Sequence, residues 1–317
     1  MIIIGITVLS LFDGMSCGHL VLDKLGIEID TYYASEIEQS TIEVTKHNYP
    51  DTVHLGDVTK WKEWDLPKID LIIGGSPCQG FSRQGAGLNF NDPRSKLFFE
   101  FVDIVNHHKE INPYLNFMLE NVNMKREWQD VITDYLGVDP VHINSDVLVP
   151  HNRPRTYWTN FDINCVEQVD YKLLNLLDDI ILEDYIEVGA IKVCKSFSEK
   201  SIELISFEEG EVRIKQAVKK GYIVAKLGDG INISFPTSKT RRGRVTSNKS
   251  SCLDTSCDIG VYDQHGQIRR FTMNELEKLQ GVPVGYTSSM DDSFAKKALG
   301  NGWTVDVIAH ILRSIKR

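Results

Sequence analysis

The chain has 317 residues, of which 42% are hydrophobic and 25% are charged, and its formal net charge is −9. This composition is typical of an ordinary globular protein, and the length suggests one large domain plus a smaller one. The apolar run of residues 1–11 is too short to span a bilayer and has no basic flank, which excludes a signal peptide and a membrane anchor from the prediction.

The six cysteines form no Cys-x-x-Cys pair and no dense disulfide framework, which favours a reducing cytoplasm as the location. Cys252 and Cys257 are close in sequence, but no His or Cys lies nearby at zinc spacing. No metal site is therefore predicted.

Charge is distributed unevenly along the second half of the chain. Residues 167–211 hold twelve acidic residues and four lysines, whereas residues 213–249 hold ten Lys or Arg and one Asp. The dense group Lys239-Thr-Arg-Arg-Gly-Arg244 favours contact with a polyanion, with a solvated surface as the alternative. The distribution of charge thus permits a nucleic-acid partner despite the negative net charge.

The N-terminal part has the order strand, glycine loop, helix. Residues 2–11 predict a strand, Phe12-Asp-Gly-Met-Ser-Cys-Gly18 follows, and a helical pattern then ends at Gly26. Glycines there permit close approach of a ligand to the backbone, although the spacing is not the GxGxxG pattern of dinucleotide sites. Glu36 and Asp57 follow the next two predicted strands, and an acidic residue in such a place commonly binds ribose or stands in a first helical turn. Together these strand ends predict a cofactor with an adenosine part.

The stretch Leu71-Ile-Ile-Gly-Gly-Ser-Pro-Cys-Gln-Gly-Phe-Ser82 predicts a buried strand that ends in two glycines. We expect those glycines to turn the backbone sharply and to deliver Cys78 to the carboxyl end of a sheet. Cys78 is either a nucleophile, aimed by the stiff Pro77, or a buried and inert thiol. The polar, glycine-rich segment 83–94 predicts a lid that closes over substrate.

Two later motifs carry further candidate catalytic groups. A predicted strand over residues 114–119 delivers Glu120, which is either a proton donor or a paired structural acid. In His151-Asn-Arg-Pro-Arg-Thr-Tyr-Trp158, strand alternation predicts that Arg153 and Arg155 share a face. These arginines could hold a carboxylate and contact a carbonyl oxygen, with a surface ion pair as the alternative.

We predict a first domain from residues 1–170 plus 286–317 and a second, smaller domain from residues 171–285. After Asn160 the sequence pattern changes to short segments with weak hydrophobic periodicity. Strong patterns return near the end, where Thr272 caps a predicted helix and Gly300-Asn-Gly-Trp-Thr304 leads into a last helix.

In their order, these motifs resemble those of the cytosine-C5 DNA methyltransferases, except over roughly residues 165–240. They are Phe-Asp-Gly-Met-Ser-Cys-Gly, Gly-Ser-Pro-Cys-Gln, Glu-Asn-Val, Asn-Arg-Pro-Arg and Gly-Asn-Gly-Trp. The Phe-Asp-Gly start and Trp303 are closest to de novo enzymes and to phage or bacterial relatives. His151 stands where the family usually has Gln, and Gly302-Trp303 where it usually has Ser and small apolar residues. The resemblance implies a Rossmann-like α/β sheet, as in S-adenosylmethionine-dependent methyltransferases, with a smaller target-recognition domain.

The resemblance implies a DNA (cytosine-5-)-methyltransferase that acts on a cytosine flipped out of duplex DNA. Cys78 would add to carbon 6 of the base and thereby make carbon 5 able to take a methyl group. Glu120 would supply a hydrogen bond or proton to the ring nitrogen at position 3. Arg155, supported by Arg153, would hold the carbonyl oxygen of the base and help orient Glu120.

The resemblance also implies which residues contact the two ligands. In the S-adenosyl-L-methionine site, Glu36 would contact the ribose and Asp57 the adenine, and the full set is Phe12, Asp13, Gly14, Met15, Ser16, Cys17, Gly18, Glu36, Ile37, Asp57, Val58, Gly75, Pro77, Asn301 and Trp303. Double-stranded DNA would be contacted by Gln79, Ser82, Arg83, Arg241, Arg242 and Arg244. We expect a monomer.

Two alternatives remain open from the sequence. One is a tRNA cytosine methyltransferase on the same scaffold, against which stand the long basic region and the lack of the distinctive motif of those relatives. The other is a non-catalytic DNA-binding homologue, against which stands the intact set of Cys78, Glu120 and Arg155. The DNA sequence that is recognised does not follow from the residues.

Overall fold

The computed structural model describes residues 5–77, 96–253 and 259–315. The first elements are β1 (Ile6–Leu11), α1 (Cys17–Lys24), β2 (Ile29–Ser35), α2 (Gln39–Asn48), β3 (Val53–His54), β4 (Leu71–Gly75), α3 (Lys96–Ile111), β5 (Asn116–Val122), α4 (Arg126–Leu136), β6 (Pro140–Asn144) and β7 (Pro154–Thr159). They are followed by β8 (Tyr185–Val188), β9 (Ile191–Cys194), α5 (Glu199–Ile202), β10 (Ile205–Glu208), β11 (Glu211–Lys215), β12 (Tyr222–Ala225), β13 (Gly230–Asn232), β14 (Arg244–Thr246), β15 (Ile259–Tyr262), β16 (Gln267–Arg270), α6 (Met273–Gln280), α7 (Asp292–Asn301) and α8 (Val305–Leu312). None of the helices in these ranges has the length and apolar character required to cross a membrane.

The chain divides into two compact units. The first is formed by Met1–Asn144, Pro154–Val166 and Gly302–Arg317, and the second by Ser145–Arg153 and Glu167–Asn301. The second unit therefore extends beyond the predicted limits of 171–285. Backbone hydrogen bonds explain one extension, since Ser250 N–H donates to the Pro150 carbonyl and Asn152 N–H to the Ser250 carbonyl, at 2.8 and 2.9 Å. The other extension is α7, which packs on α6.

The first unit contains a seven-stranded sheet in the order β3-β2-β1-β4-β5-β7-β6. The strands from β3 to β5 run parallel, and β7 is antiparallel to both β5 and β6. The chain leaves β1 toward one edge and returns through β4 toward the other, which creates a crevice at the carboxyl ends of these two strands. The expected Rossmann-like α/β sheet is confirmed.

The hydrophobic core explains the apolar runs in the central strands. Ile72 and Ile73 of β4 and Leu9 of β1 are fully buried, because helices cover both faces of a parallel sheet. Phe98 and Phe101 of α3 are also fully buried against these strands. Phe98 and Phe101 thus form part of the apolar face by which α3 packs on the sheet.

The two glycines of β4 do not form the sharp turn that we expected from the sequence. Both lie inside the strand, and neither has a positive φ. A Cβ on Gly74 would lie 2.9 Å from the Phe101 ring and 3.0 Å from the Leu11 carbonyl oxygen. Gly74 is therefore required by close packing of α3 and β1 against β4, rather than by a turn.

The second unit is built from a six-stranded sheet, β14-β13-β15-β16-β9-β8, and a three-stranded sheet, β10-β11-β12. Its core is formed by β-branched residues such as Val193, Ile214 and Ile231, each fully buried. The predicted cap of α6 is confirmed: Thr272 accepts from the backbone N–H of Glu275, and the Glu275 carboxylate accepts from that of Thr272.

Candidate functional site

The loop between β1 and α1 has an unusual backbone. Phe12, Gly14 and Ser16 have φ angles of 57°, 60° and 58°, in the left-handed region that non-glycine residues rarely occupy. A Cβ added to Gly14 would meet no atom within 4 Å. The backbone N–H of Asp13 donates to the Ser35 carbonyl at 3.1 Å, which ties the loop to the end of β2. The loop is thus fixed in place with open space beside Gly14.

A network of hydroxyl groups holds the loop between β1 and α1 through Asp13 and Ser16. Tyr32 Oη donates to Asp13 Oδ1 at 2.8 Å, Ser16 Oγ donates to Asp13 Oδ2, and Thr45 Oγ1 donates to Ser16 Oγ at 3.1 Å. Burial raises the pKa of Asp13 to about 6, against the opposing effect of the hydroxyl donors. Ser16 is the N-cap residue of α1, but its hydroxyl is engaged with Asp13 and does not cap the helix. The positive end of the helix dipole therefore has no hydrogen bond from the N-cap side chain.

Glu36 links the ends of β1 and β2. Its Oε2 accepts from the backbone N–H of Gly14 at 2.8 Å, and its Oε1 accepts from those of Ile37 and Glu38 at 2.7 and 2.8 Å. A carboxylate has about four lone-pair sites, so the three amides leave capacity for a hydroxyl donor. The side chain of Ile37, which is 75% exposed, offers an apolar surface beside it.

Asp57 lies after β3, at the start of a 3-10 turn over Val58–Glu63. Its Oδ1 accepts from the backbone N–H and the hydroxyl of Thr59, both at 2.9 Å, and the backbone hydrogen bond lowers the pKa of Asp57. Asp57 is thus an exposed carboxylate held in one orientation, while the neighbouring Val58 is buried. Asp57 follows the strand as predicted.

Asn121 holds the end of β4 close to Pro77. Its Nδ2 donates to the Ser76 carbonyl at 3.3 Å and to Ser76 Oγ at 3.1 Å, and its Oδ1 accepts from the backbone N–H of Val122. Asn121 stands in the Glu-Asn-Val motif, but the sequence pattern did not predict this contact with Ser76, because it depends on the pairing of β4 with β5. Cys78, which follows directly, lies outside the described residues, as do Gln79, Ser82 and Arg83.

Glu120 is a buried acidic side chain at the carboxyl end of β5. It is 9% exposed, and its Oε1 lies 2.8 Å from Arg155 Nε. The two residues meet because β5 and β7 are antiparallel: Glu120 pairs with Tyr157, and Arg155, two residues before Tyr157, lies on the same face. The indole Nε1 of Trp303 donates to Glu120 Oε2 at 3.2 Å. The predicted pairing of Glu120 with an arginine is thus present in the structure.

Arg153 has different partners from Arg155. It precedes β7 and belongs to the second unit, where its Nη1 donates to Cys252 Sγ at 3.6 Å and its backbone N–H to Ser145 Oγ at 3.0 Å. Arg153 as a whole is 4% exposed. Asn301, which we expected to line the cofactor site, is the exposed last residue of α7 in the second unit.

The basic block of the second unit separates into paired and unpaired cations. Arg213 is surrounded by Glu208, Glu209 and Glu211 and stacks on Tyr222, with 4.6 Å from its guanidinium carbon to the ring centroid. By contrast, the described residues contain no acidic partner at ion-pair distance from three arginines on or beside the loop 233–243, which joins β13 and β14: Arg241, Arg242 and Arg244.

Two of these arginines have identifiable surroundings. The guanidinium of Arg241 lies over the ring of Phe235, 4.5 Å from its centroid, and the backbone N–H of Arg241 donates to Ser238 Oγ at 3.0 Å. The Nε of Arg242 is buried without a hydrogen-bond acceptor among the described residues. The loop therefore presents cations whose charge is not neutralised by neighbours in that part of the chain.

Comparison with known proteins agrees with these motifs. The model of the family described as C-5 cytosine-specific DNA methylase matches residues 6–317. The chain is 28% identical over 293 residues to the type II methyltransferase M1.ScrFI of Lactococcus lactis subsp. cremoris, covering 89% of this chain and 70% of that protein. It is 32% identical over 197 residues to the type II methyltransferase M.NgoBV of Neisseria gonorrhoeae, covering 54% of this chain but 46%, less than half, of that protein.

A solved structure shows the same fold. The crystal structure of a protein described as a DNA modification methyltransferase encoded within an E. coli prophage superposes with a TM-score of 0.62 at 21% identity, covering 98% of each chain. Methyl transfer in such a family implies S-adenosyl-L-methionine as the methyl donor. From the match over nearly the whole chain and the five motifs in order, the protein belongs to the C-5 cytosine-specific DNA methylase family and is a DNA (cytosine-5-)-methyltransferase.

Proposed function

We propose that the protein methylates carbon 5 of a cytosine flipped out of duplex DNA, with Cys78 as the nucleophile and Glu120 as the group that acts on the ring nitrogen. The observation that supports this most is the position of Glu120. It pairs with Gly75, three residues before Cys78 in the chain, and its carboxylate is held by Arg155 at 2.8 Å. A nucleophile and an oriented acid–base group from adjacent strand ends are what addition to an aromatic base requires.

The role of Cys78 is proposed from its motif. Its thiolate would form a bond to carbon 6, and the electrons of the 5,6 double bond would shift toward carbon 5 and the ring nitrogen at position 3. When bound, S-adenosyl-L-methionine would supply an electrophilic methyl group on its sulfonium, which carbon 5 would take as the bond from methyl carbon to sulfur broke. A base then removes the proton from carbon 5, the thiolate leaves, and the double bond is restored.

Glu120 would stabilise the negative charge that develops on the base after addition. Its carboxyl would supply a hydrogen bond or a proton to the ring nitrogen at position 3, and Arg155 would keep the carboxyl in the plane that this contact needs. The guanidinium of Arg155 also donates through Nη1 to the Pro154 carbonyl at 2.9 Å, so its own position is fixed. Such groups are effective because they need not reorient during the reaction.

The described residues fit a methyl donor with an adenosine part. The space beside Gly14, the N-terminus of α1 without a side-chain cap and the carboxylate of Glu36 lie at consecutive strand ends. Glu36 would accept from ribose hydroxyls, Asp57 would contact the adenine, and the exposed Ile37 would cover a face of the ring. The hydroxyl network below Asp13 would keep the loop in the binding geometry.

The second unit would recognise the DNA target. Arg241, Arg242 and Arg244 have no acidic partner within the described ranges, so their charge is available for phosphates or for guanine edges in the major groove. The neutralised Arg213 would contribute little to this surface.

Transfer of a labelled methyl group tests the proposal. We expect transfer from S-adenosyl-L-methionine to carbon 5 of cytosine in unmethylated duplex DNA of mixed sequence, and none to tRNA. Cys78→Ala should abolish transfer, because no other thiol could attack carbon 6 from that loop, while DNA binding in a gel-shift assay persists. Retained transfer by Cys78→Ala would refute the covalent mechanism, and transfer to tRNA alone would refute the proposed substrate.

A further inference from the structure

The carboxylate of Glu120 is held by two donors from different parts of the first unit. Arg155 Nε on β7 contacts Oε1, and the Trp303 indole N–H, from the segment just before α8, donates to Oε2 at 3.2 Å. The family resemblance gives Trp303 a place in the cofactor site and no contact with Glu120. We infer that the indole N–H of Trp303 positions Glu120 for the reaction, as a positioning residue that acts through the carboxylate. This inference rests on the proposed role of Glu120.

Gly75 makes the contact possible. A Cβ at this position would lie 3.0 Å from Glu120 Oε2 and 3.0 Å from Trp303 Nε1, which is tighter than ordinary contacts of a Cβ. Gly75 is extended and has no positive φ, so backbone conformation does not require a glycine there. Its lack of a side chain instead lets the indole and the carboxylate meet above the strand.

Two donors do more than one for the orientation of a carboxylate. The last torsion of a glutamate side chain is broad, so a single hydrogen bond leaves the plane of the carboxyl free to rotate. Donors on separate oxygens fix that plane and therefore fix the direction of the lone pair or proton that meets the ring nitrogen. Loss of such an orientation reduces the rate without reducing the affinity for the substrates.

Trp303 itself is anchored through α8. This helix packs against α1, and Asp306 Oδ1 lies 2.5 Å from Lys24 Nζ at the other end of α1. The helix that begins at the cofactor loop is thereby connected to the residue that holds Glu120. Trp303 is half-buried, so its ring retains surface for a second contact.

Trp303→Phe separates the hydrogen bond from the ring, because phenylalanine keeps an aromatic face and removes the N–H. We expect kcat to fall about tenfold, the loss typical of one hydrogen bond to a charged group, while KM for S-adenosyl-L-methionine stays within about twofold. If only the aromatic face of Trp303 matters, both kcat and KM stay unchanged in Trp303→Phe. The matched control is Trp61→Phe, which also removes an indole N–H from a carboxylate, that of Glu100 at 2.9 Å, and should leave kcat unchanged.

A second comparison shows whether the effect passes through Glu120. In single turnover with excess enzyme, Trp303→Phe should lower the methylation rate about tenfold when Glu120 is present. In the Glu120→Gln variant the same substitution should lower the rate by less than about twofold, because the effects of coupled residues are not additive. Equal factors in the two backgrounds would overturn the inference. If Trp303→Phe does not fold, Gly75→Ala replaces it, since the added methyl group pushes the same two atoms apart and should give a similar loss of kcat.

The outcomes distinguish this inference from the function on which it rests. A wild-type enzyme that methylates DNA, combined with an unchanged kcat in Trp303→Phe, would overturn the positioning role and leave the proposed function intact. No methyl transfer to DNA by the wild-type enzyme would overturn both. A selective loss of kcat that disappears in the Glu120→Gln background would support both.

Discussion

The strand ends of the first unit and the loop 233–243 of the second unit both carry charged side chains. At the strand ends these side chains have hydrogen-bond or ion-pair partners, whereas in the loop they have no acidic partner among the described residues. At the strand ends each acidic group has fixed donors: Glu120 has Arg155 and Trp303, Glu36 has three backbone amides, and Asp13 has two hydroxyls. In the loop, the arginines have no acidic partner in the described part of the chain.

This difference follows from what each charge is proposed to do. A group that stabilises charge in a reaction must be oriented beforehand, so its partners belong to the protein. A group that binds the phosphates of DNA gains its free energy by releasing counterions, so a protein partner would compete with the ligand. Arg213 illustrates the competition, because three glutamates already surround its guanidinium.

Glu120→Gln should have the largest effect, because it removes the charge that both donors hold. We expect kcat to fall about 100- to 1,000-fold, the range for loss of a general acid–base or charge-stabilising group, with little change in affinity for DNA. Single-turnover methylation and fluorescence anisotropy measure the two quantities. The control is Glu127→Gln on α4, where the carboxylate is exposed, and a loss of DNA affinity equal to the loss of rate would contradict the assignment.

Replacing Arg241, Arg242 and Arg244 together by alanine tests whether arginines without an acidic partner among the described residues bind DNA. We expect affinity for duplex DNA to weaken about 10- to 100-fold near 0.1 M salt, and the slope of log K against log salt to flatten by up to about 3, since each phosphate contact contributes about 0.9. At saturating DNA, kcat should be unchanged. Arg213→Ala is the control and should leave the slope as it is; an equal effect on the slope would show that pairing does not withdraw a cation from binding.

Tyr32→Phe tests whether the hydroxyl network holds the cofactor loop. The substitution removes the donor to Asp13 Oδ1, which lies 2.8 Å away, and keeps the ring that stacks on His19 with centroids 4.6 Å apart. We expect the Kd for S-adenosyl-L-methionine to rise about 3- to 10-fold, the loss typical of one hydrogen bond, with DNA affinity unchanged. Isothermal titration calorimetry measures this Kd, and Tyr114→Phe, at a position that is 87% exposed, is the control. An unchanged affinity for S-adenosyl-L-methionine would show that the hydroxyl network does not contribute to its binding.

Asp13→Asn should have the smallest effect, and the effect should depend on pH. Burial raises the pKa of Asp13 from 3.8 to about 6, so the protonated carboxyl stabilises the folded state fully below about pH 4, and this stabilisation is lost as pH rises through 6. Asparagine is neutral at every pH. The melting temperature of the variant relative to the wild type should therefore be about 2–4 °C higher at pH 8 than at pH 5.

Asp134→Asn, at an exposed position of α4, serves as the control for that experiment. Its melting temperature relative to the wild type should be the same at pH 5 and at pH 8. A variant Asp13→Asn with that same pH independence would contradict the raised pKa of the carboxyl.

The parallel sheet and the strand ends were predictable because they depend on local pattern. Apolar runs mark strands that are buried on both faces, and the carboxyl ends of parallel strands must meet at one edge, so Glu36, Asp57 and Glu120 could be placed there from sequence. The role of Gly74 could not, because the need for a glycine comes from the Phe101 ring, which is distant in sequence. The same holds for Asn121, whose contact with Ser76 requires the pairing of β4 with β5.

The sequence by itself determined the family and the order of the motifs, because these are properties of the linear chain. Tertiary structure alone decided which charges are paired: the antiparallel return of β7 brings Arg155 to Glu120, while Arg153 contacts Cys252 in the second unit. It also decided that Trp303 meets Glu120, a contact between residues 183 positions apart. The physical reason is that hydrogen bonds and ion pairs depend on distances of a few ångströms, and a linear pattern does not specify distances between residues so far apart.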